Sequence, residues 1–162
     1  MRLYLVRHAW AGDFGDPRWP NDADRPLTSD GKDRFKNVAH KLAQRRVAPS
    51  LVVTSPYVRA KQTAEILVKE LEGTPEIITH RGLEPDGDWS AVIEALKSRD
   101  EPEIALVGHM PNIGELAAAL IGSTPGSIGF AKGATMAIDF ETHPALGRGL
   151  LCWLATAKLL GC

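Results

Sequence analysis

Cysteine is scarce in this 162-residue sequence. Cys152 and Cys162 are the only two, they form no CxxC motif, and the second is the last residue. A disulfide scaffold and a thiol-based metal site are thereby excluded. The expectation is a packed strand thiol at Cys152, a loose tail thiol at Cys162 and a reducing, cytoplasmic setting. Long hydrophobic runs are absent too. The apolar start, Met1 to Val6, is cut off by Arg7 and His8, and nowhere do about 18 apolar residues follow one another, so neither a membrane span nor an export signal is expected. No charge sign is in excess: 19 Lys+Arg face 20 Asp+Glu, for a formal net charge of -1. That balance offers no long-range attraction to nucleic acid or to an anionic membrane, and any anion site must be local. The signatures of zinc hydrolases and nucleotide loops are missing, since there is no HExxH, no GxxxxGK[ST], and no GxGxxG after a strand. No metal and no cofactor are expected.

What is present is a globular composition, 44% hydrophobic and 24% charged. A chain of this length can bury roughly 70% of its unfolded surface without a staple. No repeat and no linker divides it, so residues 1–162 read as one domain. Leu3 to Val6, Leu51 to Thr54 and Ile104 to Val107 are short apolar runs that read as strands buried on both faces. Ile77 and Ile78 suggest a further short strand. The alternation of Ala134, Met136, Ile138 and Phe140 with polar or small residues suggests a strand with one less buried face, and Leu150 to Ala155 returns beside it. Helical spacing appears around Phe35, Val38 and Leu42; Ala60, Ala64, Leu67 and Leu71; Val92, Ile93 and Leu96; and Ile113, Leu116, Ala117 and Leu120. Strand and helix alternate, which predicts parallel crossovers in a three-layer α/β/α sandwich. Residues 9 to 27 and 122 to 133, punctuated by Gly and Pro, read as long loops at a functional rim.

The three clearest strands end in Arg7-His8, in Ser55-Pro56-Tyr57-Val58-Arg59 and in Gly108-His109. Ligands of open parallel sheets bind outside the carboxyl ends of the strands, so two arginines and two histidines should meet at one spot. Two guanidinium forks held close together repel unless a dianion lies between them, and phosphate fits. Arg59 also falls in the first turn of a helix after Pro56, where the backbone favours an anion. His40, His80 and His143 read as structural or surface residues. Thr28 or Asp30 caps the helix near Gly31, and Asp88 caps the one before Trp89-Ser90-Ala91. Trp10 and Trp19 wall the pocket or seal a core edge.

Leu5-Val6-Arg7-His8-Ala9, Arg25-Pro26-Leu27-Thr28-Ser29-Asp30-Gly31, Ser55-Pro56-Tyr57-Val58-Arg59-Ala60-Lys61-Gln62-Thr63-Ala64 and Val107-Gly108-His109-Met110-Pro111 resemble, in order, the motifs of the histidine phosphatase superfamily. The chain is most similar to the small SixA-type phosphohistidine phosphatase branch. The resemblance implies a phosphoglycerate mutase-like fold, with a mostly parallel sheet and one antiparallel strand. It implies that His8 is the nucleophile that becomes phosphorylated and that Arg7, Arg59 and His109 hold the phosphoryl oxygens. Phosphoryl transfer of this kind needs alignment and neutralisation of the equatorial oxygens, which such groups supply without metal. Two departures matter. The mutases open with an RHG-type motif and a downstream Asn, whereas this chain reads Arg7-His8-Ala9-Trp10-Ala11-Gly12, which disfavours mutase activity. The general acid of many members falls here in Leu83-Glu84-Pro85-Asp86, with Glu84 the first candidate and Asp86 the second. Arg25 is either a substrate contact at the rim or a partner of Asp22 or Asp24.

The implied activity is hydrolysis of phosphohistidine in a protein, or of another phosphomonoester, through a phosphohistidine intermediate on His8. The alternatives are a phosphatase of small metabolites and a phosphate-recognition module without turnover. Expected partners are a phosphorylated protein or a small phosphorylated substrate, with neither nucleic acid nor membrane. The length leaves no room for the large helical cap of phytase-like relatives.

Overall fold

The computed structural model describes residues 1–162. Strands and helices alternate as β1 (Arg2–Arg7), α1 (Ser29–Ala43), β2 (Leu51–Thr54), α2 (Val58–Glu70), β3 (Glu76–Thr79), α3 (Trp89–Leu96), β4 (Glu103–Gly108) and α4 (Asn112–Ile121). Two further strands close the chain, β5 (Thr135–Asp139) and β6 (Leu150–Ala155), and short 3-10 turns lie at Asp22–Asp24 and Arg81–Leu83. One six-stranded sheet has the order β3-β2-β4-β1-β5-β6. The first four strands in that order are mutually parallel, and β5 runs antiparallel to both β1 and β6. The fold is the three-layer α/β/α sandwich with a single reversed strand.

Strand pleating explains why the central runs are apolar throughout. In β1, Tyr4 and Val6 join a cluster with Phe35, Val38 and Leu42 of α1 and Ala60, Ala64 and Leu67 of α2. Leu3 and Leu5 point the other way, into a cluster with Val92, Ile93 and Leu96 of α3 and Ile113, Leu116 and Leu120 of α4. A strand covered on both faces has no polar side to show. Each fully buried aliphatic side chain here contributes about 1.5–3 kcal/mol relative to its exposed state.

Two sequence expectations are corrected. Thr135 to Ile138 of β5 are buried on both faces, because β6 adds a strand outside β5 and both helical layers reach over it. The less buried strands are the two edges: β3 exposes Glu76, Ile77 and Thr79, and β6 exposes Leu150, Leu151 and Cys152. Cys152 is therefore an exposed edge thiol and not a packed one. Cys162 is half-buried, and its carbonyl accepts a hydrogen bond from Arg34 Nη2 at 3.2 Å.

Register positions the site. Arg7 stands opposite Gly108 and Thr54 opposite Val107, so β1, β2 and β4 end level with one another. The backbone then holds the exits: His8 N donates to Gly108 O at 2.9 Å, Gly133 N to His8 O at 3.2 Å, and Ser55 N to Val107 O at 2.9 Å. The caps agree with the sequence. Thr28 Oγ1 accepts from Gly31 N at 2.9 Å, and Asp88 Oδ1 from Ser90 N at 3.0 Å. Gly31 is required where it stands, since a Cβ there would lie 2.1 Å from Trp10 O. Through that contact α1 packs directly on the loop that leaves β1.

Candidate active site

A pocket of about 340 Å³ opens at the level strand exits. Arg7, His8, Arg59 and His109 line it, together with Arg25 and Asp22 from the loop after β1. Sequence reasoning expected the first four to converge, and they do. The His8 and His109 rings lie 4.9 Å apart, and Tyr57 meets the His109 ring edge-on at 5.1 Å.

The two imidazoles are buried, with 6% of His8 and 1% of His109 accessible. His8 Nδ1 lies 2.7 Å from Ala9 O. A carbonyl can only accept, so Nδ1 carries the proton and Nε2 keeps its lone pair. Burial, outweighing that hydrogen bond, lowers the His8 pKa to about 3, with the charges of Arg59, Arg7 and Arg25 adding to the effect. Burial followed by the charges of His8 and Arg59 lowers that of His109 to about 2. His109 Nε2 is 2.9 Å from Ser55 Oγ, and the Ser55 oxygen accepts a hydrogen bond from Tyr57 N at 3.3 Å.

The guanidinium groups are each tied down at one edge. Arg7 Nη1 donates to Phe130 O at 2.6 Å, which brings the 122 to 133 loop into the site. Arg59, only 3% exposed, gives Nη1 to the Asp22 carbonyl and Nη2 to Asp22 Oδ2, both at 2.8 Å. Arg25 donates Nε to Asp22 Oδ1 and Nη1 to Gly12 O, both at 2.7 Å. Burial lowers the pKa of Arg7 and of Arg59. Burial resists ionisation of Asp22, yet the Arg25 hydrogen bond and the charges of Arg59 and Arg25 hold its carboxyl below the usual range. Arg7 Nε, Arg59 Nε and His109 Nδ1 are buried polar atoms with no partner in the protein. Buried donors left unpaired are costly, and an anion seated among them relieves that cost.

The remaining candidates separate. Arg25 is paired with Asp22, as one of its readings had it, and it also lines the pocket. Neither Glu84 nor Asp86 lines the pocket, although Pro85 between them does. Glu84 ends the Arg81–Leu83 turn, its backbone N–H bonded to Arg81 O, and its carboxyl lies over that turn 3.9 Å from Arg81 Nε. Trp10 seals the core edge, with Arg34 stacked 4.1 Å over its ring, and neither Trp10 nor Trp19 reaches the pocket. His80 serves the turn that follows it, accepting from Gly82 N at 3.0 Å. Sequence reasoning missed the Asp22–Arg59 pair, which spans 37 residues, and the rim residues Asp13, Phe14 and Lys132. A phenylalanine in a glycine-punctuated loop, 83% exposed, was the legible sign of that rim. No cluster of three or more His, Cys, Asp or Glu side chains is placed to hold a metal ion.

The family model of the histidine phosphatase superfamily (branch 1) matches residues 3–85. The chain belongs to that superfamily. Phosphohistidine phosphatase SixA of Escherichia coli is 30% identical over 161 residues, which cover 94% of this chain and 92% of SixA. An uncharacterized protein of Picosynechococcus sp. is 40% identical over 124 residues, 74% of this chain and 73% of its own length. The structure of the protein histidine phosphatase SixA complexed with tungstate superposes with a TM-score of 0.85 at 27% identity, covering 99% of both chains. These similarities put the chain in the small SixA-type branch. The α-ribazole phosphatase of Shigella flexneri shares the histidine phosphatase fold more distantly, at a TM-score of 0.65 and 22% identity over 91% of this chain and 96% of that one.

Neutral buried imidazoles make the stability of this histidine phosphatase pH-dependent. Both have folded-state pKa values below the ordinary value, so the unfolded chain binds protons that the folded chain refuses. Stability is full above about pH 6.5 and falls as pH drops below it, by up to about 1.4 kcal/mol per pH unit for each histidine. Between pH 7 and pH 5.5 the urea midpoint of the wild type is expected to drop more than that of the His8→Gln, His109→Gln double variant. Equal drops would show that the two imidazoles take up protons in the folded protein as they do in the unfolded chain.

Proposed function

We propose that this chain is a phosphohistidine phosphatase that works through a phosphohistidine intermediate on His8. The observation that carries the reading is the His8 imidazole, neutral and held by Ala9 O with its Nε2 lone pair free, in a pocket lined by Arg7, Arg25 and Arg59. A neutral imidazole is a good nucleophile toward phosphorus when its other nitrogen is held as a donor. In the first step His8 Nε2 bonds to phosphorus as the bond to the leaving group breaks, and Arg7, Arg59 and His109 take the equatorial oxygens. In this reading the Ser55 hydroxyl donates to His109 Nε2, so that Nδ1–H faces the phosphoryl group. In the second step water adds to phosphorus, the P–N bond returns its electrons to His8, and the water proton leaves with phosphate or solvent. The chemistry is alignment plus charge neutralisation.

The carboxylates favour an imidazole as leaving group. Asp22 is held ionised by two arginines and has no proton to give, and Asp13 stands exposed at the mouth. An alkoxide needs a proton from a side-chain acid. A phosphorylated imidazole that carries a proton on its distal nitrogen leaves as neutral imidazole without one. The mouth, rimmed by the exposed Phe14 and Lys132, suits phosphate carried on a cytoplasmic protein, and the similarity to SixA supports the same class of substrate.

Acid hydrolyses a phosphohistidine and base preserves it, which gives a direct test. Enzyme mixed briefly with a ³²P-phosphohistidine protein and then denatured should carry an acid-labile, base-stable label that His8→Ala abolishes. Absence of label in the wild type during active turnover would refute the reading. A second expectation concerns the leaving group. Glu84→Gln should change kcat/KM less than about threefold on phosphohistidine, p-nitrophenyl phosphate and alkyl phosphates alike. A loss of about 10²–10⁴-fold that grows with leaving-group pKa would make Glu84 the acid and favour a small-metabolite substrate.

A further inference from the structure

The pocket brings together more positive charge than the four motif residues supply. Arg25 joins Arg7 and Arg59, and both histidines are neutral, so the only charge of opposite sign among the inner residues is Asp22. Asp13 and Lys132 oppose one another at the exposed rim. Three guanidinium groups and one carboxylate leave the inner cradle with two net positive charges, the complement of a phosphate dianion. Asp22 reaches this balance with a shared carboxylate, Oδ1 accepting from Arg25 at 2.7 Å and Oδ2 from Arg59 at 2.8 Å. Two of the five Arg59 N–H groups are turned to Asp22 in this way, and Nε is among those left for an anion.

We propose that Asp22 is a charge-setting, positioning residue: its carboxylate holds the cradle at the charge of a phosphate dianion and so lets inorganic phosphate leave. It does not touch the reacting atoms and acts through Arg25 and Arg59. The proposal rests on the reading of the pocket as a phosphoryl site. A carboxylate a few ångströms from a bound dianion repels it by an amount that depends steeply on local dielectric, and even a well-screened interaction is worth an order of magnitude in affinity. Without Asp22 the cradle would keep three positive charges and hold product. Arg59 would not be released, because its Nη1 bond at 2.8 Å goes to the Asp22 main-chain carbonyl, which any side chain at this position preserves.

Inorganic phosphate and tungstate binding by titration calorimetry separates charge setting from scaffolding. Asp22→Asn and Asp22→Ala are expected to bind phosphate roughly tenfold more tightly than the wild type. The phosphate inhibition constant and KM should fall together while kcat falls with them. Asp22→Glu, which keeps the charge, should retain wild-type phosphate affinity, and it also serves as the control for folding. Unchanged or weaker phosphate binding by Asp22→Asn and Asp22→Ala, with kcat/KM reduced, would overturn the proposal and leave Asp22 a strut for the arginines. Phosphate binding is read without turnover, so this outcome is separate from failure to trap the His8 intermediate.

Discussion

Gathering three guanidinium groups, Arg59 buried and Arg7 and Arg25 half-buried, beside two buried imidazoles in one pocket is the constraint that the rest of this structure answers to. Like charges in a desolvated site repel, and each buried donor needs a partner. The chain meets this in three ways. Both histidines stay neutral, Arg25 and Arg59 share Asp22, and Arg7 leans on the Phe130 carbonyl. Those same contacts bind the two long loops to the strand exits, so the order of the loops and the chemistry of the pocket have one origin. The level ends of β1, β2 and β4 follow from their parallel register, which the apolar runs and crossover helices impose.

The strands and helices were legible because each of them repeats a local pattern. Leu51–Thr54 and Leu150–Ala155 have in the fold the bounds that their apolar letters suggest. What could not be read was position within the sheet. LLCWLA has the letters of a core strand, yet β6 is an edge and Cys152 is exposed, because no strand follows to cover it. The alternating pattern at Ala134 to Phe140 suggested a half-open strand, yet β5 has neighbours on both sides. Both errors come from topology, which no local period encodes.

The site was legible to the extent that its residues follow strands directly. Arg7, His8 and His109 leave strand ends, and Arg59 begins the helix after β2, so fold class alone brings them together. Asp22 was visible as a neighbour of Arg25 three residues away, but its bond to Arg59 crosses the pocket and is a tertiary fact. Glu84 lies near the end of a strand as well, and only the path of the Arg81–Leu83 turn leaves it outside the pocket lining, 3.9 Å from Arg81 Nε yet close enough for its charge to act on Tyr57.

Everything proposed for the chemistry depends on which nitrogen of His8 holds the proton. The measurement that bears on it most directly is a long-range ¹H–¹⁵N correlation spectrum of the imidazoles in uniformly labelled protein at pH 7, assigned with His8→Gln. A neutral His8 ring protonated at Nδ1, with Nε2 showing the shift of an unprotonated nitrogen, is the predicted result. A ring protonated at Nε2, or an imidazolium protonated at both nitrogens, would leave Nε2 no lone pair to attack phosphorus and would contradict the assignment of His8 Nε2 as nucleophile.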